Sequence, residues 1–138
     1  MISLLNNIRK VELIEAYHLQ HSDIIAGRGV WLNVYQQFTP VETIGLSSVE
    51  ISDKIENRQR VYTTKLTMLC CNKLLPGAKK YAFRLTTVTG SQFLIGCSEK
   101  PYPVIQNSEK FPSAAGDRSG VTVTVTLVSV IPMLAILG

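Results

Sequence analysis

Apolar and polar positions alternate with a period of two along much of this chain, which is the pattern of strands half buried in a sheet. The sharpest case is Val121 to Leu127, where Val121, Val123, Val125 and Leu127 alternate with Thr122, Thr124 and Thr126. Arg60 to Cys71 follows the same rule. Val61, Thr63, Lys65, Thr67 and Leu69 share one face, and Tyr62, Thr64, Leu66, Met68 and Cys70 share the other, which is the core-facing side by composition. Ser48 to Ile55 reads as its partner across the polar loop Glu56-Asn57-Arg58-Gln59. Lys80 to Val88 and Gln92 to Cys97 form a second hairpin around Thr89-Gly90-Ser91. Their aromatic and β-branched residues suit a pleated surface, and Gly90 supplies the positive φ that a tight turn needs. A two-residue Thr89-Gly90 loop sets Leu85 opposite Leu94 and Phe83 opposite Gly96, with Arg84 and Thr86 facing Ile95 and Phe93. Apolar groups then fall on both faces, so the hairpin is expected to be covered on two sides.

The remaining segments are less regular. In Ile2 to His21, the residues Leu4, Leu5, Ile8, Val11, Ile14, Tyr17 and His21 recur at helical steps of three and four. Arg9-Lys10-Val11-Glu12-Leu13-Ile14 within it fits an opening strand equally well. Ala26 to Gly29 reads as a turn, Val30 to Tyr35 as a strand and Phe38-Thr39-Pro40-Val41 as the start of an extended piece. Pro76-Gly77 marks a turn in the Lys73–Lys79 crossover, Pro101-Tyr102-Pro103-Val104 is stiff and extended, and Ser108 to Gly120 is a polar loop. Short strands separated by turns predict an all-β fold, an antiparallel β-sandwich or barrel-like domain, with at most one short helix near the N-terminus. At 138 residues the chain is expected to be a single domain, 1–138.

The C-terminal stretch changes the picture. Ser119 to Gly138 carries no charge, yet its Val/Thr alternation and Pro132 favour a strand with an apolar tail over a membrane span. The tail, 131–138, is a liability in water and is expected to dock on the core or on a neighbouring subunit. Ile131, Met133, Leu134, Ile136 and Leu137 are therefore the candidate subunit-interface residues. On this reading, deletion of 131–138 leaves a folded chain that associates less. Composition agrees: apolar residues are 46% and charged residues only 17%, with a mean hydropathy of +0.17. A small protein this poor in charge often hides surface against other subunits.

Charge is unevenly placed. Residues 1–53 hold three basic and six acidic groups, 54–84 eight and one, and 85–138 three and three, giving −3, +7 and 0. The basic middle offers Arg58, Arg60, Lys65, Lys79, Lys80 and Arg84 as candidate contacts to nucleic acid or an acidic partner. Solvated strand edges protected by lysine are the weightier explanation.

Candidate chemistry adds little. Cys70 and Cys71 point to opposite faces of a strand and Cys97 stands apart, so a disulfide framework is not expected and buried small hydrophobes in a reducing compartment are. His18 and His21, with Glu15 nearby, have metal-ligand spacing, but no third cluster supports them and two surface histidines are expected. Met1 to Gln20 lacks the parts of a signal peptide. No nucleophile–base pair, paired carboxylates or phosphate-binding glycine loop is evident, so neither enzyme activity, nor a cofactor, nor a metal is expected.

The order of the segments resembles a group of short β-rich proteins from the structural-gene regions of tailed bacteriophages and related prophages of gut bacteria. The likeness rests on the opening segment Arg9–Ile14, on Phe38-Thr39-Pro40, and on the strand pair Val49–Glu56 and Gln59–Met68. Thr89-Gly90-Ser91-Gln92-Phe93-Leu94-Ile95-Gly96 followed by Lys100-Pro101-Tyr102-Pro103-Val104, and the closing strand Val121–Leu127, complete it. It covers most of the chain in layout, and its motifs are short and structural. The resemblance implies a virion protein of the tail, neck or capsid accessory layer, made in the host bacterial cytoplasm and present in many copies. Its implied partners are itself and other virion proteins, close to packaged DNA and without a membrane. It also favours a strand at Arg9–Ile14. The apolar Ile131–Leu137 tail departs from the polar tail of that group, which brings an attachment role into play. The alternative is a nucleic-acid-binding β-barrel module that uses the basic region 54–84.

Overall fold

The computed structural model describes residues 2–25, 28–34, 37–71, 74, 79–110 and 120–137. The fold is all-β, as the alternation predicts, and consists of one open mixed sheet of 11 strands. The strands are β1 (Ile2–Glu15), β2 (Asp23–Ile25), β3 (Gly29–Trp31), β4 (Thr39–Val41), β5 (Ser47–Glu56) and β6 (Gln59–Cys70). They continue as β7 (Tyr81–Thr87), β8 (Gln92–Ile95), β9 (Val104–Lys110), β10 (Gly120–Ser129) and β11 (Leu134–Leu137). A 3-10 turn, Ala16–Leu19, follows β1. The order across the sheet is β2-β3-β11-β8-β7-β1-β5-β6-β10-β9, with β4 added to β1. Every pair is antiparallel except β3 with β11.

Strand β1 is the spine. Its first half pairs with β5 and its second half with β7, with register shifts between Leu5 and Ile8 and between Ile8 and Lys10. Such bulges bend a strand and increase its twist. Beyond the shift the edge that β5 occupied is taken by β4, through Val11↔Val41, Glu12↔Pro40 and Leu13↔Thr39. The bend lets the β5-β6-β10-β9 half fold over the β7-β8 half. A core forms between them, to which β5 gives Val49, β6 gives Leu66, Met68 and Cys70, and β10 gives Val121, Val123, Val125 and Leu127. Ile8, Val11, Phe83, Leu85 and Ile95 meet them from the other half. The helical periodicity at Ile2–His21 is thus overruled. Ile8, Val11 and Ile14 are all buried, and the shift at Ile8–Lys10 together with a second core accommodates their uneven spacing on one strand.

That second core lies on the opposite face of the β7–β8 hairpin. It joins Ala82 and Leu94 to Ile14, Leu19, Val30, Phe38 and Leu134. The hairpin is therefore buried on both sides, as its sequence implies, but its register differs by one residue from the two-residue-loop reading. Phe83 faces Ile95, Arg84 faces Leu94, Leu85 faces Phe93 and Thr86 faces Gln92. The loop is Val88-Thr89-Gly90, closed by the Thr87 N–H on the Ser91 carbonyl at 2.9 Å, with Gly90 at φ 93°. A three-residue loop ending in a left-handed glycine is a common hairpin connection. The glycine is where it was expected; one more residue precedes it in the turn.

Three further expectations are corrected. The polar stretch Ser108–Gly120 begins too early, because β9 runs to Lys110 along β10. β9 is easily overlooked, since its exposed edge positions Gln106 and Ser108 need no apolar side chain. The strand expected at Val30–Tyr35 is only Gly29–Trp31, and Tyr35 lies outside the described residues, as do Pro76-Gly77, Pro112 and Gly116. Cys70 is a buried thiol as expected, but Cys71 is exposed and Cys97 half-buried.

Candidate functional site

The apolar tail is a strand of this chain's own sheet. Leu134 faces Leu94 across β8, and on the other side Ala135, Ile136 and Leu137 run parallel to Gly29, Val30 and Trp31. Leu134 is buried in the second core, Ile131 and Ile136 pack against it, and Met133 packs against the first core. Only Leu137, 36% exposed, presents itself outward among the five candidate interface residues.

Leu137 is not isolated. In register it sits beside Trp31, which is 52% exposed, and exposed Ile25 lies on the same face diagonally across the sheet. The opposite face of these three strands carries Val30 and Ile136, which belong to the second core or pack against it, and Ile24, which stays exposed at the margin. Among the described residues β2 pairs only with β3, which leaves its outer edge open there. At the far end of the ladder β9 pairs, among the described residues, only with β10, and Val104 and Val128 are exposed on one face there. Among the described residues the sheet therefore has two unpaired margins, each bordered by exposed apolar side chains.

A cleft of about 420 Å³ lies between the Leu19–Ile24 turn, the Gly96–Pro101 connection and the Ser129–Pro132 connection. Val30, Leu94 and Leu134 line its depth, and Asp23, Glu99 and Lys100 stand among its polar lining. Cys97 also lines it, and its thiol donates to the Glu99 carbonyl at 3.4 Å. Among the described residues there is no group of three or more His, Cys, Asp or Glu side chains placed to hold a metal. His18 stacks at a tilt on Tyr17, with ring centroids 4.0 Å apart.

The basic candidates are scattered. Arg84 makes two charge-assisted hydrogen bonds to Glu12, at 2.9 and 2.8 Å, and its guanidinium lies 4.1 Å from the centre of the Phe38 ring. Arg60 is paired with Asp53 on the β5–β6 hairpin. Lys79 donates to Glu15 at 3.0 Å, and that hydrogen bond with the carboxylate's charge raises the lysine's pKa above its ordinary value. Lys65 is exposed and stands opposite Glu50 in register, whereas Lys80 is exposed just before β7. Arg58 is exposed at the tip of the β5–β6 hairpin, where it and Asn57 both take positive φ. These groups occupy a hairpin tip, a strand middle and the opposite side of the fold; they do not form one strip.

Two side chains were missed by reading the sequence. Glu12 sits between Val11 and Leu13 and is almost fully buried, so its partner Arg84 is needed inside. The signal was a lone acid flanked by apolar residues on a strand. Asn107 accepts from the Leu74 N–H at 2.9 Å and donates to the Leu74 carbonyl at 3.0 Å, tying the β6–β7 connection to β9. No sequence pattern announces that long-range clamp. Among the described residues no helix is long and apolar enough to cross a membrane. No family model, curated protein or solved structure matches the chain.

Proposed function

We propose that this protein is a structural subunit that assembles in many copies, and that its place is the virion of a tailed bacteriophage, in the tail, neck or capsid accessory layer. The observation that carries the assembly reading is the Trp31–Leu137 pair beside the open β2 margin. Exposed edge strands are templates for pairing, and proteins that stay single blunt them with charge, proline or a covering segment. Here β2 carries one charge, Asp23 opposite Trp31, while Trp31, an aromatic of the type enriched at the centre of interfaces, stands exposed beside Ile25 and Leu137. The open β9 margin supplies a second surface, and two unlike surfaces on one subunit generate rings or filaments. The resemblance to phage virion proteins and the low charge content support the virion setting. The scattered and internally paired basic groups support assembly over DNA binding.

Light scattering across a concentration series tests the assembly reading, with Trp31→Ser and Leu137→Ser as probes. The wild-type protein is expected to form a defined oligomer, and each substitution to weaken it about tenfold or more, since hot-spot truncations cost upward of ~2 kcal/mol. A wild-type chain that stays single at millimolar concentration overturns the reading. The virion setting is tested by mass spectrometry of purified phage particles, where stoichiometric presence is expected.

A further inference from the structure

The β5–β6 hairpin is longer than the sheet that supports it. β1 reaches it as far as Ile2↔Ser52 on one side, and β10 as far as Ser129↔Tyr62 on the other. Beyond these points, among the described residues, 54–61 pair only with one another, through Lys54↔Val61, Ile55↔Arg60 and Glu56↔Gln59. The overhang is a two-stranded ribbon roughly 10 Å long at about 3.4 Å per residue. Such a ribbon is marginal in water by itself. The face that buries Val49 and Leu66 in the first core continues along it through Ile51 and Tyr62 to Ile55. There the cover ends, and Ile55, at 69%, is the most exposed large hydrophobic side chain among the described residues.

The 420 Å³ cleft has the opposite character. Val30, Leu94 and Leu134 line its depth, and its volume falls in the range of pockets that take up compact apolar groups. Among the described residues its charged lining is Asp23, Glu99 and Lys100, a surplus of one negative charge on a chain whose net charge is +4. On the ribbon, Arg60 is paired with Asp53 and Lys54 lies 3.9 Å from Glu56, which leaves the charge of Arg58 over at the turn. An exposed apolar knob with a surplus cation thus matches an apolar cleft with a surplus anion. In its own chain Ile55 does not line the cleft.

We infer that the ribbon of one copy docks in the cleft of the next: Ile55 turns inward onto Val30, Leu94 and Leu134, and Arg58 lies over the rim at Asp23 and Glu99. This rests on the assembly reading and names a contact for it. The occupant is a second copy, because this chain carries both halves of the match. Ribbon and cleft are different patches, so the contact can repeat from copy to copy toward a ring or filament.

Cys97 lines the cleft and gives a direct readout. In a Cys71→Ser background, which removes the exposed thiol, Ile55→Cys is expected to form a disulfide between chains under mild oxidation. Mass spectrometry should map the link to positions 55 and 97, and adding Cys97→Ser should abolish it. Ile55→Ser, at an exposed position, is expected to keep the thermal stability of the wild type and to weaken association about tenfold or more by light scattering. A wild-type protein that assembles while the 55–97 link fails to form, or while Ile55→Ser associates as tightly as the wild type, overturns the docking and spares the assembly reading. A wild-type protein that stays single at millimolar concentration overturns both.

Discussion

The carboxylate of Glu12 and the guanidinium of Arg84 face each other across β1 and β7 in a two-point pair, with the Phe38 ring laid over the arginine. A carboxylate this deeply buried needs both hydrogen bonds, and the lysine at position 10 is a weaker neighbour at 3.8 Å. The pair sits at the junction where β4 joins β1, so it also fixes how Phe38 and the segment after it lie on the sheet. Removing one partner strands the other: Arg84→Ala is expected to destabilise by roughly 3 kcal/mol, whereas Glu12→Leu with Arg84→Met should recover most of that loss. Chemical denaturation of the two variants measures both. Equal loss in the single and double variants would count against a buried ion pair as the reason.

Thr64 presents a simpler case. Its hydroxyl oxygen is buried in the first core and makes no hydrogen bond among the described residues. Thr64→Val keeps the shape and deletes the unsatisfied group. It is expected to stabilise by about 1 kcal/mol, read as a higher denaturant midpoint with an unchanged slope.

The three thiols should separate by reactivity. Cys71 is exposed and should react first with a thiol reagent, Cys97 more slowly, and Cys70 only on unfolding. Burial pushes the Cys70 thiol above its ordinary pKa of 9.0, and the neighbouring Cys71 adds to this. Its folded pKa is the higher one, so its contribution to stability is complete below the unfolded value. It is lost as pH rises through 9.0 toward the folded value. Cys70→Ala should remove that part of the alkaline decline, as followed by unfolding curves from pH 8 to 10.

Truncation after Val130 separates two views of the tail. A free docking arm could be removed without harm to the fold. A strand placed between β8 and β3 cannot, because Leu94 and Val30 lose their cover and β3 loses the strand that links it to β8. Loss of Leu134 alone is worth about 2–5 kcal/mol, so the truncated chain is expected to unfold at a much lower temperature. A truncated chain with the thermal stability of the full protein would refute the interior placement.

The strands that alternate cleanly were legible in the amino-acid order. β6 and β10 show their buried faces as Leu66, Met68 and Cys70 and as Val121, Val123, Val125 and Leu127, because a period of two on a half-buried strand leaves no other reading. The β5–β6 hairpin was equally plain, since its polar turn separates two alternating runs. Local chemistry settles such elements because neighbours in sequence are also the neighbours that matter. The rest depended on partners far along the chain. Whether Ile8, Val11 and Ile14 belong to a helix or to a bulged strand was decided by β5 and β7 arriving on its two sides. That Glu12 is buried follows only once Arg84 stands 72 residues away in sequence and opposite it in space. The apolar tail was visible as something that must be covered; that its cover is the gap between β8 and β3 arises from sheet order, which hydrophobic pattern does not encode.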